Sequence, residues 1–251
     1  FDKWTLLEPL TQAYEALLRG LARQCSWVQI DEPALAADLP APALQQARAV
    51  LARVSEAALP AQTLLATYFG GVARHAGLLA GLPAAALHLD LARDPGQLEP
   101  VCAALPRRCS LSLGVVNGRN IWRTDLGKAL ALGRAALELL GPERLLLAPS
   151  CSLLHVPVDL AAETALDPEI RSWMAFAVQK CAEVRLLADA LSGRDVSAEL
   201  AENAALLARR AADPRVQNPA VRLRAGAASP DMARRPSPYP VRSQKQRARL
   251  R

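Results

Sequence analysis

Five short stretches of this 251-residue chain carry side chains able to do chemistry. Asp31 and Glu32 are adjacent carboxylates, a pair suited to general acid and base work. On an extended strand neighbouring side chains point to opposite faces, so one of the two would face a shared mouth. The alternative role is to anchor the loop before Pro33 by accepting backbone N–H bonds. Cys151 and His155 offer a nucleophile with a base, or, together with Asp90, three donors that zinc accepts. Asn117-Gly118-Arg119-Asn120 joins a tight turn at Gly118 to a cation free to hold an acid or an anionic ligand. Neither GxGxxG nor GxxxxGK[ST] spacing surrounds it, so it lacks the pattern of a phosphate-binding glycine loop. Thr67, Tyr68 and Phe69 complete the set, while His75 and His88 have no ligand-spaced partners.

These groups recur at one kind of place, the end of a short apolar run. Strands are expected at Trp27–Ile30, Thr63–Tyr68, Ala86–Leu91, Ser110–Val115 and Leu145–Ala148. Each is short and apolar, and helical periodicity fills the 20-to-35-residue intervals. Helices are expected near 5–24, 42–57, 72–81 and 96–105, and from the Asp125 cap to Leu140, closed by Gly141-Pro142. Asp167-Pro168 should open a long helix with Ile170, Trp173, Ala177, Cys181 and Val184 on one face, and a further helix should span Ser197–Ala212. The pattern is α/β, a partial (β/α)8 TIM-type barrel with about five of its eight strand-helix units. In such folds the C-terminal ends of the strands form the site, which is where the reactive side chains fall.

Composition bounds the rest. With 51% apolar and 22% charged residues the chain is globular rather than disordered or fibrous. No uninterrupted apolar run reaches the ~18 residues that suggest a membrane-spanning helix. Five cysteines, odd in number and without a CxxC pair, argue against a disulfide framework or zinc finger and suit a reducing cytoplasm. The first residues, Phe1-Asp2-Lys3-Trp4, include neither an initiator Met nor a leader, and the chain reads as a fragment. The net charge of +6 is unevenly placed: residues 214–251 hold six prolines, ten basic residues and one acid, Asp231, so the remainder is mildly acidic at −3. A domain over 1–213 followed by a disordered Pro/Arg-rich linker or tail over 214–251 is the expected organisation. No aromatic platform interleaves the basic residues beyond Tyr239, so no nucleic-acid partner is expected.

Taken with their order, these motifs resemble the N-terminal barrel of cobalamin-independent methionine synthase. The similarity rests on Trp27-Val28-Gln29-Ile30-Asp31-Glu32-Pro33-Ala34-Leu35, Asn117-Gly118-Arg119-Asn120-Ile121-Trp122-Arg123 and Ser150-Cys151-Ser152-Leu153-Leu154-His155. It extends through Ser172-Trp173 to Gln179-Lys180-Cys181. The resemblance implies an enzyme of two similar (β/α)8 barrels that transfers a methyl group from 5-methyltetrahydropteroyltriglutamate to homocysteine. Zinc in the C-terminal barrel, held by a His-x-Cys pair, a Glu and a second Cys, would activate the thiol beside a proton-donating His. Where the His-x-Cys pair would fall, this chain reads Ala66-Thr67-Tyr68-Phe69; Asp90 falls near the Glu, Cys151 near the second Cys and Arg119 near the His. Two possible ligands of four would leave a zinc site open and weak, so no cofactor is expected in this chain and the resemblance assigns zinc to the absent C-terminal barrel.

The resemblance therefore implies a non-catalytic barrel segment plus linker, inactive alone, whose partner is the C-terminal barrel of the same polypeptide. Folate triglutamate and homocysteine would be met only in the intact enzyme. Asp31, Glu32, Asn117, Arg119 and Cys151 are the candidates to face substrate. The rival expectations are a stand-alone metal enzyme using Asp31, Asp90, Cys151 and His155, and a nucleic-acid module acting through the basic tail.

Overall fold

A computed structural model describes residues 2–249 and divides them between Leu207 and Ala208 into two compact units. In the first, α1 (Leu7–Leu21) precedes β1 (Trp27–Asp31), α2 (Ala41–Ala57), β2 (Gln62–Ala66), α3 (Ala76–Ala80) and β3 (Ala86–Asp90). Then come α4 (Leu98–Ala104), β4 (Ser110–Val116), α5 (Leu126–Leu140), β5 (Leu145–Pro149), α6 (Pro168–Ser172), α7 (Ala177–Leu191) and the start of α8 (Ser197–Ala212). All four strand pairings are parallel and follow chain order, with Ile30 opposite Leu65, Leu87 opposite Leu111 and Leu111 opposite Leu145. Strand order that never reverses is that of a barrel arc, not of a doubly wound sheet with its switch point.

The two-residue repeat of each strand separates two environments. Val28, Ile30, Leu65, Leu87, Leu89, Leu111, Leu113, Leu145 and Leu147 belong to the core shared with the helices. Leu51, Val54, Leu98, Val101, Leu130 and Leu187 meet them from α2, α4, α5 and α7. Leu89, Leu111 and Leu113 are fully buried, each contributing about 1.5–3 kcal/mol by leaving water. Gln29, Leu64, His88, Ser112 and Ala148, on the alternate positions, line a cavity on the opposite face.

Three expectations need correction. The helix foreseen from Asp167 onward is two helices, because the backbone between them bonds elsewhere. Trp173 O accepts from Arg123 N (2.9 Å), Ala175 N donates to Ile121 O (2.8 Å), and Trp122 and Met174 form an antiparallel bridge. In α7, Lys180, Glu183 and Leu187 are buried and Cys181 is exposed, so its inner face is not the apolar one assumed. Two stretches of the tail are helical: α9 (Pro219–Gly226), capped by the Asn218 side chain on Ala220 N and Val221 N, and α10 (Tyr239–Arg249). Neither buries a residue. On α1 the apolar stripe is only partly covered: Leu18 is buried, whereas Leu10, Tyr14, Leu17 and Leu21 are exposed.

Gly114 lies where the β4–β5 register shifts. A Cβ there would lie 2.5 Å from Leu89 O and 2.8 Å from Ser150 Cα, both backbone atoms. Gly114→Ala should therefore lower the urea midpoint by the equivalent of about 2–3 kcal/mol. Gly20→Ala, in open space on α1, should raise it by up to about 1 kcal/mol.

Candidate functional site

The strand ends separate Asp31 from Glu32 by pleat alone. Glu32 Oε1 accepts from Ala34 N (3.1 Å) and caps the turn Pro33–Ala36, so its carboxylate is a loop anchor. Asp31 stays at the mouth, accepting from Gln29 Nε2 (2.7 Å) and the Tyr68 hydroxyl (3.2 Å). Burial first, and then the Asp31 carboxylate, lift the Tyr68 hydroxyl above its ordinary pKa. Tyr68 thus donates to Asp31 and stays protonated.

Asp90 is buried, with Oδ2 accepting from Phe69 N (3.0 Å) and Oδ1 from Arg93 N (2.9 Å). Burial raises its pKa, and the two backbone donors oppose that rise. Both oxygens hold loops, which leaves Asp90 poorly placed to serve as a ligand. Phe69 sits at φ +71, a left-handed conformation that costs a bulky residue about 1–3 kcal/mol. Its ring gathers the mouth: Tyr68 at 4.7 Å, His155 edge-on at 5.4 Å and the Arg119 guanidinium 4.1 Å from the centroid. Arg119 is held from behind by Asn117, whose Oδ1 accepts from Arg119 N (2.9 Å).

Beneath this rim the cavity of about 320 Å3 is lined by Gln29, Tyr68, His88, Ser112 and Cys151. His88 Nε2 lies 3.2 Å from Ser150 O and Nδ1 2.9 Å from Ser112 Oγ. A carbonyl only accepts, so Nε2 carries the proton and Nδ1 accepts from the hydroxyl. Burial lowers the His88 pKa and keeps the ring neutral. Cys151 is buried, and burial pushes its thiol up, against a hydrogen bond with Ser150 and the charge of Arg119. Its Sγ donates to Ser152 O at 3.7 Å while His155 packs on Phe69, so the two do not form a nucleophile-base pair. Among the described residues no three of His, Cys, Asp and Glu come together as a metal set. Asp31, Asp90, Cys151 and His155 are thus not assembled around one ion, and the residues present do not fit zinc.

Phe69, one of the strand-end residues expected from sequence, lies at the mouth as foreseen. Three further positions escaped the sequence reading, and they clamp the segment carrying Arg119. Lys180, fully buried, donates from Nζ to Trp122 O (3.0 Å). Burial lowers its pKa, with Glu183 opposing. Glu183 accepts from Thr124 N (3.0 Å) and Thr124 Oγ1 (2.8 Å). Asn203 accepts from Leu126 N (3.2 Å) and donates to Thr124 O (3.0 Å). Polar residues at inward helical positions were the available signal.

With this geometry established, the chain can be set beside known proteins. The family described as cobalamin-independent synthase, N-terminal domain, matches residues 1–139. The chain belongs to that family. Curated relatives named 5-methyltetrahydropteroyltriglutamate–homocysteine methyltransferase align along almost its whole length. The protein from Syntrophotalea carbinolica is 45% identical, covering 98% of this chain and 32% of the relative. That from Nitratidesulfovibrio vulgaris is 46% identical over 99% and 35%, and that from Acidithiobacillus ferrooxidans 47% over 100% and 32%. The chain thus spans about a third of the length of these relatives. A solved structure of a putative vitamin-B12 independent methionine synthase from Listeria monocytogenes shares the fold. Its TM-score is 0.55 at 15% identity, over 76% of this chain and 56% of that one. The family resemblance and the α/β barrel class expected from the motifs are borne out, and no described helix is long and apolar enough to cross a membrane.

The clamp and the buried imidazole both have measurable consequences. Asn203→Ala removes two partners from buried backbone groups and should cost about 2–3 kcal/mol, read as a lower urea midpoint. His88 has a folded pKa below its unfolded value of about 6.5, so the unfolded chain takes up the proton first as pH falls. Its contribution to stability should be complete above that value and decline as pH drops below it. Urea midpoints between pH 7.5 and 5.5 should fall for the parent chain and fall less for His88→Gln. Any slope that remains can include His75, whose pKa is lowered by burial and by Arg74.

Proposed function

We propose that this chain forms the non-catalytic N-terminal barrel segment of a cobalamin-independent methionine synthase. In the complete enzyme its mouth would be one wall of the cleft where a methyl group passes from 5-methyltetrahydropteroyltriglutamate to homocysteine. One observation carries this reading. The strand-end groups that a metal centre would need are occupied in holding backbone or are buried as a neutral thiol. The groups left open, Asp31 and the Arg119–Phe69–His155 cluster, suit recognition rather than bond-making. Leu154 and Val158 beside them are 92% and 75% exposed, apolar surface fit to be covered by another domain.

On this reading zinc and the thiol chemistry belong to the C-terminal barrel of the same polypeptide, which is this segment's partner. Asp31, Arg119 and Asn117 contribute position and charge at the cleft wall, while Glu32 and Cys151 act behind it. Five free cysteines suit a reducing cytoplasm as the place of work.

The test is methyl transfer to homocysteine, with zinc measured after dialysis. The chain alone should show neither turnover nor stoichiometric zinc, and a polypeptide restoring the remaining two-thirds of the relatives' length should show both. Turnover by the chain alone, with about one zinc per chain, would overturn the proposal.

A further inference from the structure

Several strand-end loops meet at one side chain. Phe69 follows β2, and its ring carries the Arg119 guanidinium from the β4 end at 4.1 Å and the His155 ring from the β5 end at 5.4 Å. Its backbone N–H donates to Asp90, the last residue of β3 (3.0 Å). Phe69 thus touches groups from three other strand ends, and its conformation sets where they stand relative to one another.

That conformation is strained. The left-handed φ of +71 falls on Phe69, although Gly70 and Gly71, which could adopt it without cost, come directly after. Both glycines serve close approach instead: a Cβ at Gly70 would lie 3.1 Å from Ala36 Cβ, and one at Gly71 would meet the Asp94 carboxylate. Strain of this kind persists only where the surrounding structure holds it in place. On either side the chain is pinned, Thr67 N donating to His88 O (3.2 Å) and Val72 N to Gln97 Oε1 (3.0 Å), and both residues are fully buried. Among the described residues, Phe69 N is the one backbone N–H of residues 68–71 with a hydrogen-bond partner.

Asp90 is built to be that partner. Its carboxylate is buried, and its other oxygen accepts from Arg93 N (2.9 Å), so it cannot swing away without unseating a second loop. Its backbone is paired in register opposite Gly114, and its carbonyl accepts from Gln97 Nε2 (2.8 Å). A hydrogen bond to a fixed, dry carboxylate is of the stronger kind and can offset the cost of the left-handed turn.

We propose that Asp90 is the positioning residue of the mouth: its hydrogen bond holds Phe69 in the left-handed turn, and the ring so held seats the Arg119 guanidinium. That Arg119 then serves recognition rests on the cleft-wall reading; the linkage from Asp90 through Phe69 to Arg119 does not.

The experiment follows the arginine side-chain N–H resonances of the complete 251-residue chain by NMR. The Phe69 ring current should displace the Arg119 Nε–H upfield of its position in Phe69→Leu. Asp90→Ala should lose most of that displacement, and Glu32→Ala, which removes another carboxylate cap near the mouth, should keep it. An unchanged Arg119 resonance in Asp90→Ala would overturn the proposal, as would an equal loss in Glu32→Ala or no displacement relative to Phe69→Leu. If Asp90→Ala fails to fold, amide exchange in the unaltered chain decides the question. The Phe69 N–H should then exchange more slowly than the Gly70 N–H by about tenfold or more, and equal rates would overturn the proposal. No readout uses methyl transfer, so failure here leaves the cleft-wall reading standing, and failure of that reading leaves this linkage standing.

Discussion

A strand in a parallel sheet presents alternate residues to opposite sides, and here the two sides meet opposite environments. Leu87, Leu89, Leu111 and Leu113 sit among helices, while His88 and Ser112 between them face the inner cavity. Once the leucines are placed, every intervening side chain is committed to the inner face, because a one-residue slip would exchange the two sets. The buried imidazole, its hydroxyl partner and the strand-end carboxylates are where they are for this reason. The mouth is thus a by-product of the way the core is built.

A second constraint acts on the loops that leave the strand ends. Their backbone N–H groups have lost ladder partners and need others. Acid and amide side chains supply them: Glu32 for Ala34, Asp90 for Phe69 and Arg93, Glu183 for Thr124, Asn203 for Leu126. Residue types that suggest acid-base or metal chemistry are thereby absorbed in holding irregular backbone. What remains outside that backbone role is a small set at the mouth, Asp31, Arg119 and the ring of Phe69.

Much of the scaffold was legible because local physics decides it. The five strands lie within two residues of their expected bounds, and α5 begins at the Asp125 cap and ends at Gly141, whose φ of +78 suits glycine. The continuous helix expected beyond Asp167 failed for a reason no periodicity contains: Trp173 and Ala175 find backbone partners at Arg123 and Ile121, some fifty residues earlier. The inner face of α7 was misjudged in the same way. Lys180 is buried because the Trp122 carbonyl lies within reach of its ammonium, and hydropathy alone places a lysine outside.

Residue order by itself determined the family, the alternation of strand and helix, and the list of reactive groups at strand ends. Each depends on spacing or on near neighbours, which a one-dimensional pattern contains. Only the tertiary structure decided which of those groups were free. It assigned Glu32 and Asp90 to backbone, kept Cys151 protonated by burial, parted it from His155, and drew Phe69, Arg119 and His155 into one cluster. The free state of a carboxylate or a thiol depends on which donors surround it in space and on how much water reaches it. Those quantities are set by contacts between residues tens of positions apart, and they exist only once the chain has folded.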